Sequence, residues 1–151
     1  MRSKAIWSLR WLPFTFFAGL TLWVAGGLPH GRKPFSLDLS LSLDSLTQSL
    51  NKWPHYRTTA VLFLVAAVAA GMRRPWLAFG MTMLVGAGWE LAETTAIGHT
   101  ARAADLAPDL LAALACLAVL FLVRGGVTRW TARRTVRLER LRNEAAAPAA
   151  K

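Results

Sequence analysis

The chain has 151 residues, of which 54% are hydrophobic, with a mean hydropathy of +0.36 and a formal net charge of +10. The apolar residues come in blocks rather than stripes, which argues against an ordinary soluble domain, and the cations cluster beside those blocks, which favours anionic lipid over nucleic acid as the counter-surface. The single cysteine, Cys116, excludes an intrachain disulfide and a thiolate metal cluster and leaves the redox compartment open.

Four apolar blocks follow one another, at residues 12–28, 56–72, 76–97 and 106–123. Each approaches the ~20 residues that a helix needs to cross a hydrocarbon core of ~30 Å. The first block tolerates Pro13, because a proline in the first helical turn removes an N–H that has no partner there. The first two blocks are short, so Arg10 and Arg57 are expected to snorkel, laying their aliphatic stems along the apolar layer and keeping their charges in water. Arg2, Lys4 and Arg10, with Val24-Ala25-Gly26 at the other end of the block, imitate a cleavable leader. The apolar stretch is long for one, and the block is read as a retained span.

Residues 29–55 form the one sizeable loop. Leu37, Leu39, Leu41 and Leu43 alternate with Ser and Asp, the pattern of an extended stretch with one apolar face. Leu43, Leu46, Leu50 and Trp53 then recur at helical spacing, with either Ser45 and Gln48 as a capping box or an earlier start to the stripe. The simpler reading is an amphipathic segment that lies on the outer leaflet or covers the mouth of the bundle; the sharper alternative is a lid over a site.

With the N-terminus in the cytoplasm, Arg2, Lys4, Arg10, Arg73, Arg74 and the cations from Arg124 onward fall inside, and Arg32, Lys33, Lys52, Arg57 and Arg102 fall outside, thirteen against five. That asymmetry obeys the positive-inside rule, and an even number of spans returns the C-terminus to the cytoplasm. Trp7, Trp11, Trp76 and Trp130 lie at inner boundaries, and Trp53 and Trp89 at outer ones, where an apolar ring with a polar N–H is best accommodated. Trp23 is off the belt and is expected to pack between helices. The expected fold is therefore all-α: a polytopic transmembrane bundle of four helices over residues 1–125, with an amphipathic outer loop, then a basic cytoplasmic helical tail at 126–151 that frays over 145–151. In the tail, Val127, Trp130, Leu138 and Leu141 share a face that Arg134 interrupts. Arg129, Arg133, Arg134, Arg137 and Arg140 are the expected contacts to the anionic inner leaflet, each contributing about 1 kcal/mol.

The strip between the last two blocks holds Glu90, Glu93, His99, Arg102, Asp105 and Asp109, half of the chain's eight carboxylates within twenty positions. At ~1.5 Å per residue, Trp76 to Glu90 covers ~21 Å, so Glu90 lies somewhat below the outer edge of an apolar core. Glu93 follows one turn later on the same face, and Asp105 and Asp109 share a face of the next helix. Pro108 fits a first turn, so the last helix is expected to begin near Asp105, with Asp105 as N-cap and Gly98 as the stop of the helix before it. Carboxylates are favoured at a helix N-terminus, which accounts for the two aspartates, and disfavoured near a C-terminus, where the two glutamates stand. The glutamates need Arg102, a protonated His99, a bound cation or a proton, and Glu90 is the acid expected to be protonated at neutral pH or to hold a cation.

Glu90-x-x-Glu93, a turn, then Asp105-x-x-x-Asp109 ahead of an apolar helix resembles the VanZ-like membrane proteins. Their pattern has Glu-x-x-Gln at the end of the third span, then an Arg, an Asp, and an Asn four residues after the Asp. Glu90 matches the Glu and Asp105 the Asp. Glu93 replaces the Gln, Asp109 replaces the Asn, Arg102 falls closer to Asp105 than the family's Arg, and His99 occupies about that Arg's spacing. Related membrane families of unknown function carry Glu-x-x-Glu followed by Asp-x-x-x-Asp, and the chain is similar to those as well. The resemblance covers residues 90–109 and the four-span layout. It implies a small protein of the bacterial cytoplasmic (inner) membrane, in a family whose founding member is tied to glycopeptide (teicoplanin) resistance.

Three classes of function compete. One is an envelope protein that binds a lipid-linked or peptidoglycan-related group at an outer acidic mouth. Another is an accessory subunit of a larger respiratory or photosynthetic complex, or a homo-oligomer, docked through small residues such as Ala66, Ala70, Gly80 and Gly88. The third, a membrane enzyme, is disfavoured: Glu-x-x-Glu lacks the Glu-x-x-His of di-metal bundles, and no phosphate loop, Ser–His–Asp order or zinc spacing is present. His30, His55 and His99 lie in connections or at edges, where histidines are mostly solvated or capping. No cofactor and no metal centre is expected.

Overall fold

The computed structural model describes residues 9–26 and 31–146. The readings placed on Arg2, Lys4, Trp7, residues 27–28, His30 and Lys151 lie outside the described residues. The chain is all-α: α1 is Leu12–Ala25, α2 Leu43–Leu50, α3 Trp53–Ala70, α4 Pro75–Glu93 and α5 Leu106–Ala146, the last entered through a 3₁₀ turn at Ala103–Asp105. Strands β1 (Leu37–Asp38) and β2 (Ala101–Arg102) form one short parallel pair, Leu37 opposite Ala101 and Asp38 opposite Arg102.

Prolines mark where helices begin. Pro13, Pro54 and Pro75 sit in the first two positions of α1, α3 and α4, and Pro108 in the first turn of α5; a fixed φ suits a helix entry, and the missing N–H would find no partner there. Gly71 ends α3 with φ at +80°, a conformation that only glycine adopts cheaply, and the turn it makes returns the chain into α4 as an antiparallel neighbour.

Among the described residues, one helical stretch, Ala103–Asn143, is long and apolar enough to cross a membrane, and Leu12–Ala25 is a shorter apolar helix. The helices α3 and α4 have 18 and 19 residues. Polar residues at 53–59 and 89–93 lower their hydropathy.

By its contacts the chain divides into a unit that ends at Leu117 and a second from Ala118 onward. In the first unit α1, α3 and α4 pack on one another. Phe14, Ala18, Leu62, Phe63, Ala66, Ala70, Ala78, Val85 and Ala113 are buried there. The abundance of alanine lets backbones approach closely. Gly88 meets Leu22 of α1: a Cβ on it would lie 3.0 Å from a Leu22 methyl. In the second unit α5 runs on as one helix through Gly125 and Gly126, so the expected tail is a continuation of the last apolar helix and not a separate one. All its side chains over residues 127–143 are exposed.

Several local expectations need correction. Trp23 does not pack between helices; it is 50% exposed. The cap of α2 lies one turn earlier than Ser45: Ser42 has extended backbone and its Oγ accepts from the Ser45 N–H at 3.2 Å. The leucine stripe of α2 faces away from its buried serines. Leu43 is 83% exposed, whereas Ser45 and Ser49 are buried. Finally, α4 stops at Glu93 and not at Gly98, which lies in the following turn with φ at +82°. The Thr94 and Thr95 carbonyls accept from the Ser36 and Lys33 N–H groups at 2.9 and 2.8 Å, so the loop takes the backbone groups that a longer helix would use.

Candidate functional site

The C-terminal end of α4, the β2–3₁₀ segment and the first turn of α5 converge, as the spacing of the four acids requires. Glu90, Glu93, Asp105 and Asp109 are all buried, at 4%, 6%, 0% and 3% exposure. A buried carboxylate costs several kcal/mol unless its oxygens are met, so what meets each one defines the site.

Asp105 is not an N-cap. Its Oδ1 accepts from Ser49 Oγ of α2 at 2.5 Å, and its Oδ2 from the Lys52 ammonium just after that helix at 2.5 Å. The inward serine of α2 and the lysine one turn later thus clamp the loop onto the start of α5. Asp109 has a similar tertiary role: its Oδ1 accepts from Thr59 Oγ1 at 2.6 Å and lies 3.3 Å from His55 Nδ1, both on α3. Its other oxygen leans on Gly86 of α4, where a Cβ would stand 3.0 Å away. That close approach is what glycine permits there.

Glu93 is satisfied locally. Its Oε1 accepts from Trp89 Nε1, four residues earlier on the same helix, at 2.6 Å and sits 3.2 Å from His99 Nδ1. His99 is the partner foreseen for it, and Lys33 holds the His99 carbonyl at 2.5 Å. Glu90 is different. Its Oε2 accepts the Arg102 backbone N–H at 3.0 Å, whereas its Oε1 is buried with no hydrogen-bond partner. The Arg102 side chain, a candidate counter-charge for the glutamates, points elsewhere: its Nη1 donates to Gln48 Oε1 at 2.9 Å. Its charge reaches Asp38, which the Ser40 hydrogen bonds, and after them the guanidinium, hold below the usual carboxylate range.

Sequence reasoning brought together the right acids with His99 and Arg102 but missed Ser49, Lys52, His55 and Thr59. His55 in particular is no solvated histidine. Its side chain is 9% exposed and its ring lies against Trp89, centroids 5.6 Å apart. A signal was present: Ser45, Ser49 and Lys52 recur at helical spacing on the side of the loop opposite its leucines, and His55 and Thr59 repeat four apart. The loop covers the mouth with polar groups inward, one of the two forms the simpler reading allowed.

A cavity of about 10 Å³ adjoins Asp109, between Thr21, His55, Thr59, Val85, Gly86 and Trp89. It has room for one water-sized occupant. The arrangement therefore accepts a proton, a water or an ion inside, and any larger group only at the rim formed by His99, Arg102 and Lys33. One donor atom each from His55, Glu90 and Asp105 lie within 4.8 Å of one another, a set with the donor types of a metal site. The helix α3 supplies the histidine that Glu-x-x-Glu lacks. No family model matches the chain, and neither a curated protein nor a solved structure matches it.

Proposed function

We propose that this chain is a VanZ-like integral protein of the bacterial cytoplasmic membrane. In this reading it crosses the bilayer four times with both termini inside, and its buried acidic mouth on the outer side engages the polar head of a lipid-linked or peptidoglycan-related envelope group. The observation that carries the reading is Glu90: a carboxylate 4% exposed with one oxygen unpartnered, amid three other buried acids. Ionisable groups in such places are costly and mark sites of function in membrane proteins. The four-span layout draws on the charge asymmetry and on the outward apolar faces, where Phe16, Leu64 and Leu84 are more than half exposed and would meet lipid. On the same layout the exposed leucines of α2 lie in the outer leaflet, and its serines face the site.

The test is retention of a polyprenyl-pyrophosphate-linked saccharide by the purified chain in nanodiscs. The wild type is expected to retain it, and Glu90→Gln to lose it with an unchanged thermal midpoint. Equal retention by both removes the reading. The outward apolar faces serve lipid and a neighbouring subunit alike. Co-migration with a large assembly after gentle solubilisation would put the accessory-subunit function first.

A further inference from the structure

Three donors from three separate parts of the sequence meet beneath the mouth. One nitrogen of His55, one oxygen of Glu90 and one oxygen of Asp105 lie within 4.8 Å of one another. All three side chains are at least nine-tenths buried, at 9%, 4% and 0% exposure. Glu90 Oε1 has no hydrogen-bond partner although it is sealed from solvent. Lys52, on Asp105 Oδ2, is the one ammonium within bonding distance of these acids among the described residues.

We propose that His55, Glu90 and Asp105 bind one divalent transition-metal cation of the Zn²⁺ or Mn²⁺ kind. The proposal rests on reading this cluster as the functional site. A mixed imidazole and carboxylate set suits such ions, whereas Ca²⁺ and Mg²⁺ favour oxygen alone. Ligands at ~2.1 Å around a tetrahedral ion stand roughly 3.4 Å apart, so the three donors need to draw in by little more than about 1 Å.

Each ligand already has the outer partner that a metal site requires. His55 Nδ1 faces Asp109 Oδ1 at 3.3 Å, and that oxygen is fixed by Thr59 at 2.6 Å. A histidine that donates from Nδ1 to a carboxylate carries its lone pair on Nε2. The Arg102 N–H orients Glu90 through Oε2 at 3.0 Å, and Ser49 orients Asp105 through Oδ1 at 2.5 Å. Lys52 is the resident competitor. Its side chain is 36% exposed, so the ammonium has water to withdraw into. A cation here also answers a problem of sign. An acidic mouth repels a phosphate or pyrophosphate head held at the rim, and a divalent ion beneath it offsets two of the four buried negative charges.

The experiment titrates the chelator-stripped full chain in detergent with Zn²⁺ alone and Mn²⁺ alone by calorimetry. One ion per chain is expected in the wild type. Binding is expected to vanish in Glu90→Gln and in His55→Gln, to weaken roughly 10- to 100-fold in Asp109→Asn, and to tighten in Lys52→Ala. No uptake by folded wild type overturns the proposal, as does an ion that binds unchanged in both ligand variants. Should those variants misfold, X-ray absorption of the Co²⁺-loaded wild type decides. One imidazole among oxygen ligands supports the site, and sulfur or two imidazoles overturn it. Stripped protein that retains the lipid-linked probe but takes up no metal refutes the cation and leaves the proposed function standing; metal uptake without lipid retention does the reverse.

Discussion

The mouth and the C-terminal helix hold charge in opposite ways. At the mouth four carboxylates are buried, and three of them have side-chain partners from α2, α3, α4 or the connecting segments. Over residues 127–143 six arginines and one glutamate stand exposed along a single helix. A buried charge is specified by geometry, because its cost is repaid only when particular donors reach particular oxygens. An exposed array is specified by number, because each cation in water acts nearly alone and is screened by salt. Substitutions at the mouth are therefore expected to depend on position and to couple, and substitutions in the helix to add.

The largest expected effect is at Asp109. Asp109→Ala removes the acceptor of both His55 and Thr59 in a site without bulk water, and breaking such a buried pair costs about 3–5 kcal/mol. Asp109→Asn keeps an accepting oxygen and is expected to restore part of the loss. Denaturant unfolding in detergent checks both. A loss below about 1 kcal/mol for Asp109→Ala would place the mouth with the exposed helix. The next effect is at Gly86, where the added methyl of Gly86→Ala would sit 3.0 Å from Asp109 Oδ2 and press that carboxylate a few tenths of an ångström against its partners. The expected cost is about 1–3 kcal/mol, and it shrinks in the Asp109→Ala background, where the carboxylate that the methyl meets is gone. Gly80→Ala is the control, since nothing lies within 4 Å of its added carbon. An equal cost at both glycines breaks the argument.

The contrast also explains what the sequence could reveal. Proline at 13, 54, 75 and 108 and glycine at 71 act through their own backbone, so helix starts and the turn after α3 are legible locally. The acid pairs were legible because three- and four-residue spacings fix a shared helix face. What escaped depended on partners distant in sequence. The helix α4 ends at Glu93 because Lys33 and Ser36 take the Thr95 and Thr94 carbonyls, and nothing near Gly98 announces that. Asp105 looked like a cap because Ser49 and Lys52, more than fifty positions away, could not be placed opposite it. The leucine stripe of α2 was legible as an apolar face, but its serines announced no role, because the acid that Ser49 meets lies 56 positions further on.

The smallest effect per residue, and the one that sharpens the comparison most, is in the C-terminal helix. Arg129, Arg133, Arg137 and Arg142 are exposed, and Arg134 stacks over Trp130 at 5.5 Å. Replacing one of the first four by alanine is expected to leave unfolding within about 0.5 kcal/mol of wild type, because an exposed charge has little to lose on the protein. On the four-span reading it also weakens the preference for anionic lipid by about 1 kcal/mol, close to fivefold. The successive losses should add and fade as salt rises. Native mass spectrometry of chains from mixed phosphatidylglycerol and phosphatidylcholine nanodiscs measures the retained lipids directly. One arginine that abolished the preference alone would mean that this helix, too, holds a shaped site. A preference untouched by all four changes would mean that these cations face something other than an anionic leaflet.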